Sequence, residues 1–243
     1  MRRLLFVLAF VCSAIAVRNA SADIVFAYTA ELNAQAPGVF MPVPDAPTEG
    51  GDLRVNVAIG DTTRINVFVI ETGANESRLS DAGLLTAGFV AGFNTDNGAV
   101  TNIIGRTLPL ETGTTSPLFR FNQGPDPSFD NTAGTLQIQG GIDLNDSRDT
   151  PGLNTGAAFI GFFDFEAARE GDTTFTLSDP NAVTTVANNV LNDNPSFTDI
   201  DAELFAAAPT LTISVATAIP EPSAFLALSG VAGICVMRRR RRK

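Results

Sequence analysis

The sequence predicts an all-β protein whose body is an antiparallel β-sandwich. Three observations support this prediction. Short runs alternate apolar with polar residues, Gly, Asn, Asp and Pro separate the runs, and no long apolar pattern has helical spacing. Such strands bury one face each between two packed sheets. A signal helix before the body and a single transmembrane helix after it complete the predicted organisation.

The predicted strands follow one another along the body. The first, 24–31, places Ile24, Phe26 and Tyr28 on one face, and a proline-rich stretch follows that cannot be central sheet. Two alternating runs, 53–59 and 64–69, are joined by a Gly-Asp-Thr-Thr turn and predict a hairpin of half-buried strands. Further strands are predicted at 85–93, 99–104, 118–121, 135–139, 157–165, 173–177 and 211–215. Short helices are predicted only at 80–85 and 181–191.

The C-terminal segment combines three parts in a fixed order. Pro220, Glu221 and Pro222 precede an uncharged apolar run at 223–237, which precedes six cations at 238–243. A helix of 15 residues is about 22 Å long and the hydrocarbon layer is about 30 Å thick, so this segment spans only with snorkelling side chains and local thinning. The cations stay on the cytoplasmic side, which places the body across the membrane.

This order of parts resembles the PEP-CTERM sorting domain. The resemblance covers 218–243 and implies secretion across the inner membrane of a Gram-negative bacterium. It implies that an exosortase recognises Pro220, Glu221 and Pro222 and removes the tail. A cell-surface or extracellular-matrix destination follows, with exopolysaccharide as a candidate partner. An ordinary membrane anchor with a charged end is the alternative.

The first 22 residues have the composition of a secretory signal peptide. Two arginines precede an apolar stretch, and Ala20 and Ala22 form a small-residue cleavage site for signal peptidase. Cleavage there makes Asp23 the first residue of the mature chain. The predicted domains are the signal peptide at 1–22, the β-sandwich at 23–217 and the sorting segment at 218–243.

The body between the two targeting segments is strongly acidic. Residues 23–219 hold seven arginines, no lysine and 25 acidic residues, so the formal net charge is −18. Such a surface repels phosphate backbones, which argues against nucleic-acid binding. The chain has no histidine, and both cysteines, Cys12 and Cys235, lie in the targeting segments. Because the usual bases, thiol nucleophiles and transition-metal ligands are missing, the sequence predicts a non-enzymatic protein.

Carboxylates supply the catalytic chemistry that remains. Asp164 and Glu166 are two residues apart on a predicted strand, so they share one face at a spacing of about 7 Å. Phe159, Phe163 and Phe165 are then expected on the opposite, core face. A carboxylate pair of this kind is a candidate glycosidase site. An exposed acidic strand end is the alternative explanation.

An Asx-rich segment at 143–149 holds the candidate metal ligands. Asp143, Asn145 and Asp149 supply oxygen atoms of the kind that Ca²⁺ binds. The segment is not an EF-hand loop, because Arg148 occupies the position that needs glycine. A loop that satisfies its own backbone is the alternative. The sequence therefore requires no cofactor and leaves calcium as an option.

The C-terminal third of the body resembles the last strands of cohesin-like sandwiches. The residues behind this resemblance are 159–166, 171–177 and 211–215. It implies a nine-stranded jelly-roll topology and nothing about dockerin binding.

A carbohydrate-binding module is the second function that the sequence allows, and a carboxylate-only glycosidase is the third. Flat sugar-binding surfaces usually use aromatic rings with a polar handle. The body has no tryptophan and one tyrosine, Tyr28. This composition favours a non-enzymatic secreted protein over a carbohydrate-binding module.

Overall fold

The computed structural model describes residues 23–33, 45–73, 78–105, 126–141, 157–180, 188–193, 196–206 and 208–217. Two β-sheets pack face to face over one apolar core, as predicted. The predicted signal helix, the transmembrane helix and the strand at 118–121 lie outside these residues. Within the described ranges, no helix is long and apolar enough to cross a bilayer.

The smaller sheet has four antiparallel strands in the order β1-β3-β8-β5. They are β1 (Asp23–Leu32), β3 (Thr62–Thr72), β5 (Gly98–Ile104) and β8 (Ala157–Ala167). The strands of the larger sheet are β2 (Leu53–Ala58), β4 (Leu84–Phe93), β6 (Ser128–Asp130), β7 (Thr135–Gly141), β9 (Gly171–Ser178), β10 (Val190–Asp193), β11 (Ser196–Asp199) and β12 (Leu211–Ala216). Its main path is β11-β10-β4-β9-β12-β2, and β7 with β6 lies on the other edge of β4. Among the described strands, β2 and β12 form the one parallel pair.

Period-two alternation explains why β9 faces the core on one side. Thr173, Phe175 and Leu177 are buried, and the residues between them are exposed. The Phe175 ring lies in the middle of the core, with ring centroids 4.9 Å from both Phe93 and Phe163. Aromatic rings from both sheets therefore meet there.

The predicted hairpin between 53–59 and 64–69 is wrong. β2 forms an edge of the larger sheet beside β12, and β3 lies in the smaller sheet between β1 and β8. The chain changes sheets at 59–61, where Asp61 N donates to Ala58 O at 3.0 Å and Asp61 Oδ2 accepts from Ala58 N at 3.1 Å. Alternation shows that each run has a core face, but it does not show which strand pairs with which.

The polar residues of β3 are buried rather than solvated. Arg64 is 3% exposed and Asn66 is fully buried. Both lie on the face of the smaller sheet that points away from the main core. A second apolar cluster occupies the same face and consists of Ala27, Phe68, Ile70, Phe159 and Phe162. The half-buried strand predicted here is therefore buried on both faces.

A bulge in β8 shows that the expected facing of Phe159 is wrong. Phe163 and Phe165 face the core as predicted, but Phe159 belongs to the second cluster. Val67 pairs with Gly161 and the next residue of β3 pairs with Phe159, so β8 holds one extra residue and reverses its facing. A Cβ on Gly161 would overlap the backbone of the neighbouring strand β5. The isolated glycine inside a strand pattern was the available sequence signal.

The helices agree only partly with the sequence. α1 (Arg78–Ala82) overlaps the helix predicted at 80–85, although Leu84 and Leu85 already belong to β4. The helix predicted at 181–191 is wrong at its end, where Val190 begins β10. α2 (Asp201–Ala206) was not predicted, and it packs on β1 through Phe205 against Phe26.

Candidate functional site

The two carboxylates of the candidate glycosidase pair have different environments. Both follow the expected facing on β8, but Asp164 is buried and Glu166 is exposed. Arg64 Nε donates to Asp164 Oδ1 at 2.8 Å, and Arg64 Nη2 donates to Oδ2 at 3.0 Å. Asn102 adds a third donor to Oδ2 at 3.1 Å. Donors therefore occupy both oxygens of Asp164.

The Arg64 side chain is held on more than one side. Its guanidinium carbon lies 4.2 Å from the centre of the Phe162 ring, a cation–π geometry. The side chains of Arg64 and Asp164 are only 3% and 10% exposed. A catalytic carboxylate must reach its substrate, and this one is paired and covered. Asp164 is better explained as part of a buried structural ion pair.

A second Arg–Asp pair lies on the exposed face of the larger sheet. Arg54 Nη2 contacts both Asp172 oxygens, at 3.0 and 2.9 Å, and the Ser214 hydroxyl donates to Asp172 Oδ1 at 2.7 Å. The residues are neighbours because β12 lies between β9 and β2. The pKa of Asp172 lies below its ordinary value of 3.8. The hydrogen bond from Ser214 is the largest cause of this lowering, and hydrogen bonding from Arg54 is the next largest.

The Ser214 hydroxyl is expected to control this pKa. A carboxylate whose pKa is lowered by folding adds stability above its unfolded-state pKa, and that stability is lost as pH falls through the folded-state pKa. We expect S214A and R54Q each to raise the pKa of Asp172, because the Ser214 hydrogen bond is the largest single cause of its lowering and Arg54 adds a hydrogen bond and an opposite charge. A side-chain NMR titration of Asp172 measures both changes. An unchanged pKa in S214A would contradict this assignment.

The single tyrosine does not offer a sugar-binding platform. Tyr28 is 6% exposed, and its hydroxyl donates to the Pro209 carbonyl oxygen at 3.1 Å. Burial, aided by the charge of Asp52, raises the pKa of Tyr28. In the part of the chain that the structure describes, the exposed aromatic rings are Phe129 and Phe197, on strands that reach β4 from opposite edges. Neighbouring strands are about 4.8 Å apart, so β7, β4 and β10 separate the two rings too far for one continuous aromatic platform.

The predicted calcium ligands lie outside the residues that the structure describes. Asp143, Asn145 and Asp149 are not among the described residues, so the calcium site stays a prediction. Across the ranges that the structure does describe, no group of three or more His, Cys, Asp or Glu side chains could hold a metal ion.

The last strand delivers the chain to one end of the sandwich. β12 ends at Ala216, which pairs with Ala58 at the end of the parallel strand β2. The antiparallel neighbour β9 starts at the same end, where Gly171 pairs with Val215. The predicted sorting segment begins just beyond, at residue 218. Its site residues Pro220, Glu221 and Pro222 lie outside the described ranges.

The first strand runs between the two ends of the sandwich. β1 ends beside the sheet-changing turn, with Leu32 paired to Thr63, and it begins at the opposite end, with Asp23 paired to Thr72. Asp23 also directly follows the predicted signal-cleavage alanines, Ala20 and Ala22, which are not described.

We call the end where β12 stops the tail end. It consists of residues 31–33, 58–62, 94–98, 166–171 and 215–217.

Comparison with protein families identifies the segment that follows the tail end. Residues 218–242 match the family described as the PEP-CTERM protein-sorting motif. The chain carries a PEP-CTERM sorting motif. This confirms the resemblance inferred from the Pro-Glu-Pro residues, the apolar run and the cationic end. The PEP-CTERM motif implies delivery to the cell envelope or surface and processing by an exosortase. The individual roles of Pro220, Glu221 and Pro222 stay predictions.

Comparison with solved structures finds cohesin modules. The seventh ScaB type I cohesin from Pseudobacteroides cellulosolvens has a TM-score of 0.44 at 12% identity, covering 70% of this chain and 92% of that chain. The third ScaC cohesin from Acetivibrio cellulolyticus, solved with the ScaB dockerin, has a TM-score of 0.43 at 10% identity, covering 68% and 96%. The sixth cohesin of scaffoldin B from the same organism has a TM-score of 0.42 at 10% identity, covering 80% and 99%. Similarities this distant transfer no partner to the PEP-CTERM chain.

Comparison with curated protein sequences gives no match.

Proposed function

We propose that this chain is a secreted, non-enzymatic protein of the outer surface or the exopolysaccharide matrix, released by exosortase processing of its C-terminal segment. The PEP-CTERM motif at 218–242 is the observation that supports the proposal. Signal peptidase removes residues 1–22, and the apolar run at 223–237 holds the chain in the inner membrane until the exosortase acts.

The position of the motif suits this processing. β12 ends at Ala216, so Pro220 follows the folded body by only a few residues. Proline lacks the N–H that a strand needs and restricts the residue before it to extended conformations. The two prolines therefore disfavour an extension of β12 into the motif. A motif that does not continue the sheet suits recognition by a membrane-embedded processing enzyme.

The chemistry of the body supports a non-enzymatic role. The chain has no histidine, and its body has no lysine or cysteine. The carboxylate pair that could have served a glycosidase is divided, because Arg64 and Asn102 bind the buried Asp164 while Glu166 is exposed on the surface. The formal net charge of −18 over residues 23–219 keeps a secreted body soluble and away from nucleic acid.

Glu221 is expected to be required for release. In an exosortase-producing Gram-negative host, intact-mass analysis should find wild-type extracellular protein that ends near Pro220. We expect E221A to remain full length in the membrane fraction, because the recognised carboxylate is gone. E170A, which removes an exposed acid from the tail end, is the matched control and should be processed normally. Full-length wild-type protein in the membrane, or normal release of E221A, would refute the proposal.

A further inference from the structure

Two exposed apolar side chains lie at the tail end. Leu32 is 56% exposed and Ile59 is 45% exposed. The residue after Leu32 is bonded to the sheet-changing turn, since Asn33 N donates to Thr62 O at 2.7 Å. Ile59 begins that same turn, and its N–H donates at 3.3 Å to the carbonyl oxygen of Ala216, the last residue of β12. Both side chains are therefore at the end of the sandwich where the chain leaves it.

The length of the connecting chain keeps this end near the membrane. The predicted membrane segment begins at Ser223, six residues after Thr217, where the description of the body ends. Fully extended, six residues reach about 22 Å at most. A ten-residue strand such as β1 is about 33 Å long, so the opposite end of the sandwich is farther from the anchor than the connection is long. While the segment is embedded, the tail end is the part of the body closest to the lipid.

We propose that the tail end rests on the outer surface of the membrane before processing, with Leu32 and Ile59 in the boundary between lipid headgroups and acyl chains. This inference rests on the proposed function, because it requires an embedded C-terminal segment. Two side chains bind a bilayer weakly by themselves, as even a single lipid chain does. The short connection compensates for this weak binding, because tethering gives the body an effective concentration at the membrane of about millimolar order.

The net charge of the tail end determines which lipid headgroups favour its contact with the membrane. Glu31, Asp96, Glu166 and Glu170 are exposed there, and Arg169 is the exposed cation among them. This excess of acids is repelled by anionic headgroups, and the repulsion is screened by salt. We therefore expect contact with zwitterionic phosphatidylcholine and weaker contact when phosphatidylglycerol is added.

The contact has a direct consequence for processing. The embedded segment already keeps Glu221 at the bilayer surface, since Glu221 lies two residues before Ser223, and the contact adds a second attachment of the body to the membrane that processing must end. Removal of the tail abolishes the tether, so the effective concentration falls and the two apolar side chains no longer keep the body on the membrane. Cleavage then releases the body, although Leu32 and Ile59 themselves are unchanged.

Depth-dependent fluorescence quenching tests the contact. The chain without its signal peptide, carrying C235S so that one introduced thiol is unique, is reconstituted in phosphatidylcholine vesicles that contain a shallow nitroxide lipid. An environment-sensitive probe is placed at I59C, and the matched control is F197C, which is 57% exposed on β11. We expect loss of roughly half or more of the signal at position 59, because insertion by about 5–10 Å reaches the nitroxide. We expect little loss at position 197.

The possible results separate this inference from the proposed function. Quenching at 59 but not at 197, abolished when L32D is added, supports the contact. Equal signals at both positions in a chain that floats with the vesicles overturn the contact and leave the sorting proposal standing. A chain that does not float with the vesicles at all overturns the embedded stage, and with it both proposals.

Discussion

Replacing Asp164 with alanine is expected to destabilise the body by about 3–5 kcal/mol, because the substitution leaves a buried arginine without its counter-charge. Arg64 is 3% exposed and forms two hydrogen bonds with the Asp164 carboxylate. Equilibrium urea unfolding of the secreted protein measures the change. A loss of this size is a large part of the stability of an ordinary domain.

Two further variants test whether the loss of stability comes from the buried ion pair. D172A removes the acid of the exposed pair with Arg54, and we expect a much smaller change because water screens that pair. The double variant R64M/D164L should recover most of the stability lost in D164A, since apolar residues often replace a buried ion pair at little cost. If D164A is as stable as D172A, the structural assignment of the buried pair is wrong.

The same substitution distinguishes a structural carboxylate from a catalytic one. If Asp164 were catalytic, the D164A protein would lose glycan hydrolysis while its free energy of unfolding stayed unchanged. Loss of stability together with the absence of glycan hydrolysis in the wild-type protein would support the non-enzymatic proposal. Hydrolysis that depends on Asp164 and Glu166 would revive the glycosidase alternative.

Replacing Phe175 with alanine is expected to cost about 3–5 kcal/mol, because the change opens a cavity in the centre of the core. The ring is 1% exposed and lies among Phe93, Phe163 and Phe165, with centroids 4.9, 4.9 and 5.9 Å away. Three rings therefore lose a partner at once. The shift in the urea midpoint, at constant slope, measures the effect.

F197A is the matched control for this prediction. Phe197 is also a strand phenylalanine, but it is 57% exposed, so its removal should change stability by no more than about 0.5 kcal/mol. Equal effects of F175A and F197A would show that the two sheets do not share the core described above.

The sequence predicted most strands correctly because period-two alternation reflects the local environment of each residue. β9 and β12 show this, since every large apolar residue of the two strands is buried, together with the polar Thr173 and Ser214. The pairing of 53–59 with 64–69 was mispredicted for a nonlocal reason. β2 pairs with β12, and β3 pairs with β1 and β8. β12 and β8 lie more than 80 residues away in sequence, and a short turn between two runs does not reveal such partners.

The bulge at Gly161 and the buried Arg64 show the same limit at the level of side chains. One extra residue in β8 moves Phe159 to the other face, because facing reverses with each residue. Arg64 alternates like a solvated residue, yet β8 brings Asp164 and Phe162 to it across the sheet. No local pattern reports a partner 100 residues away.

The sorting motif was predictable from the sequence because it is read in linear order: two prolines around an acid, an apolar run and a cationic end. The acidic composition and the absence of histidine are also properties of the sequence alone. Only the tertiary structure decided which acids are paired, which polar residues are buried and that Leu32 and Ile59 lie at the end of the sandwich where β12 stops. Those features depend on contacts between distant strands, whose pairing follows from the packing of the whole sandwich.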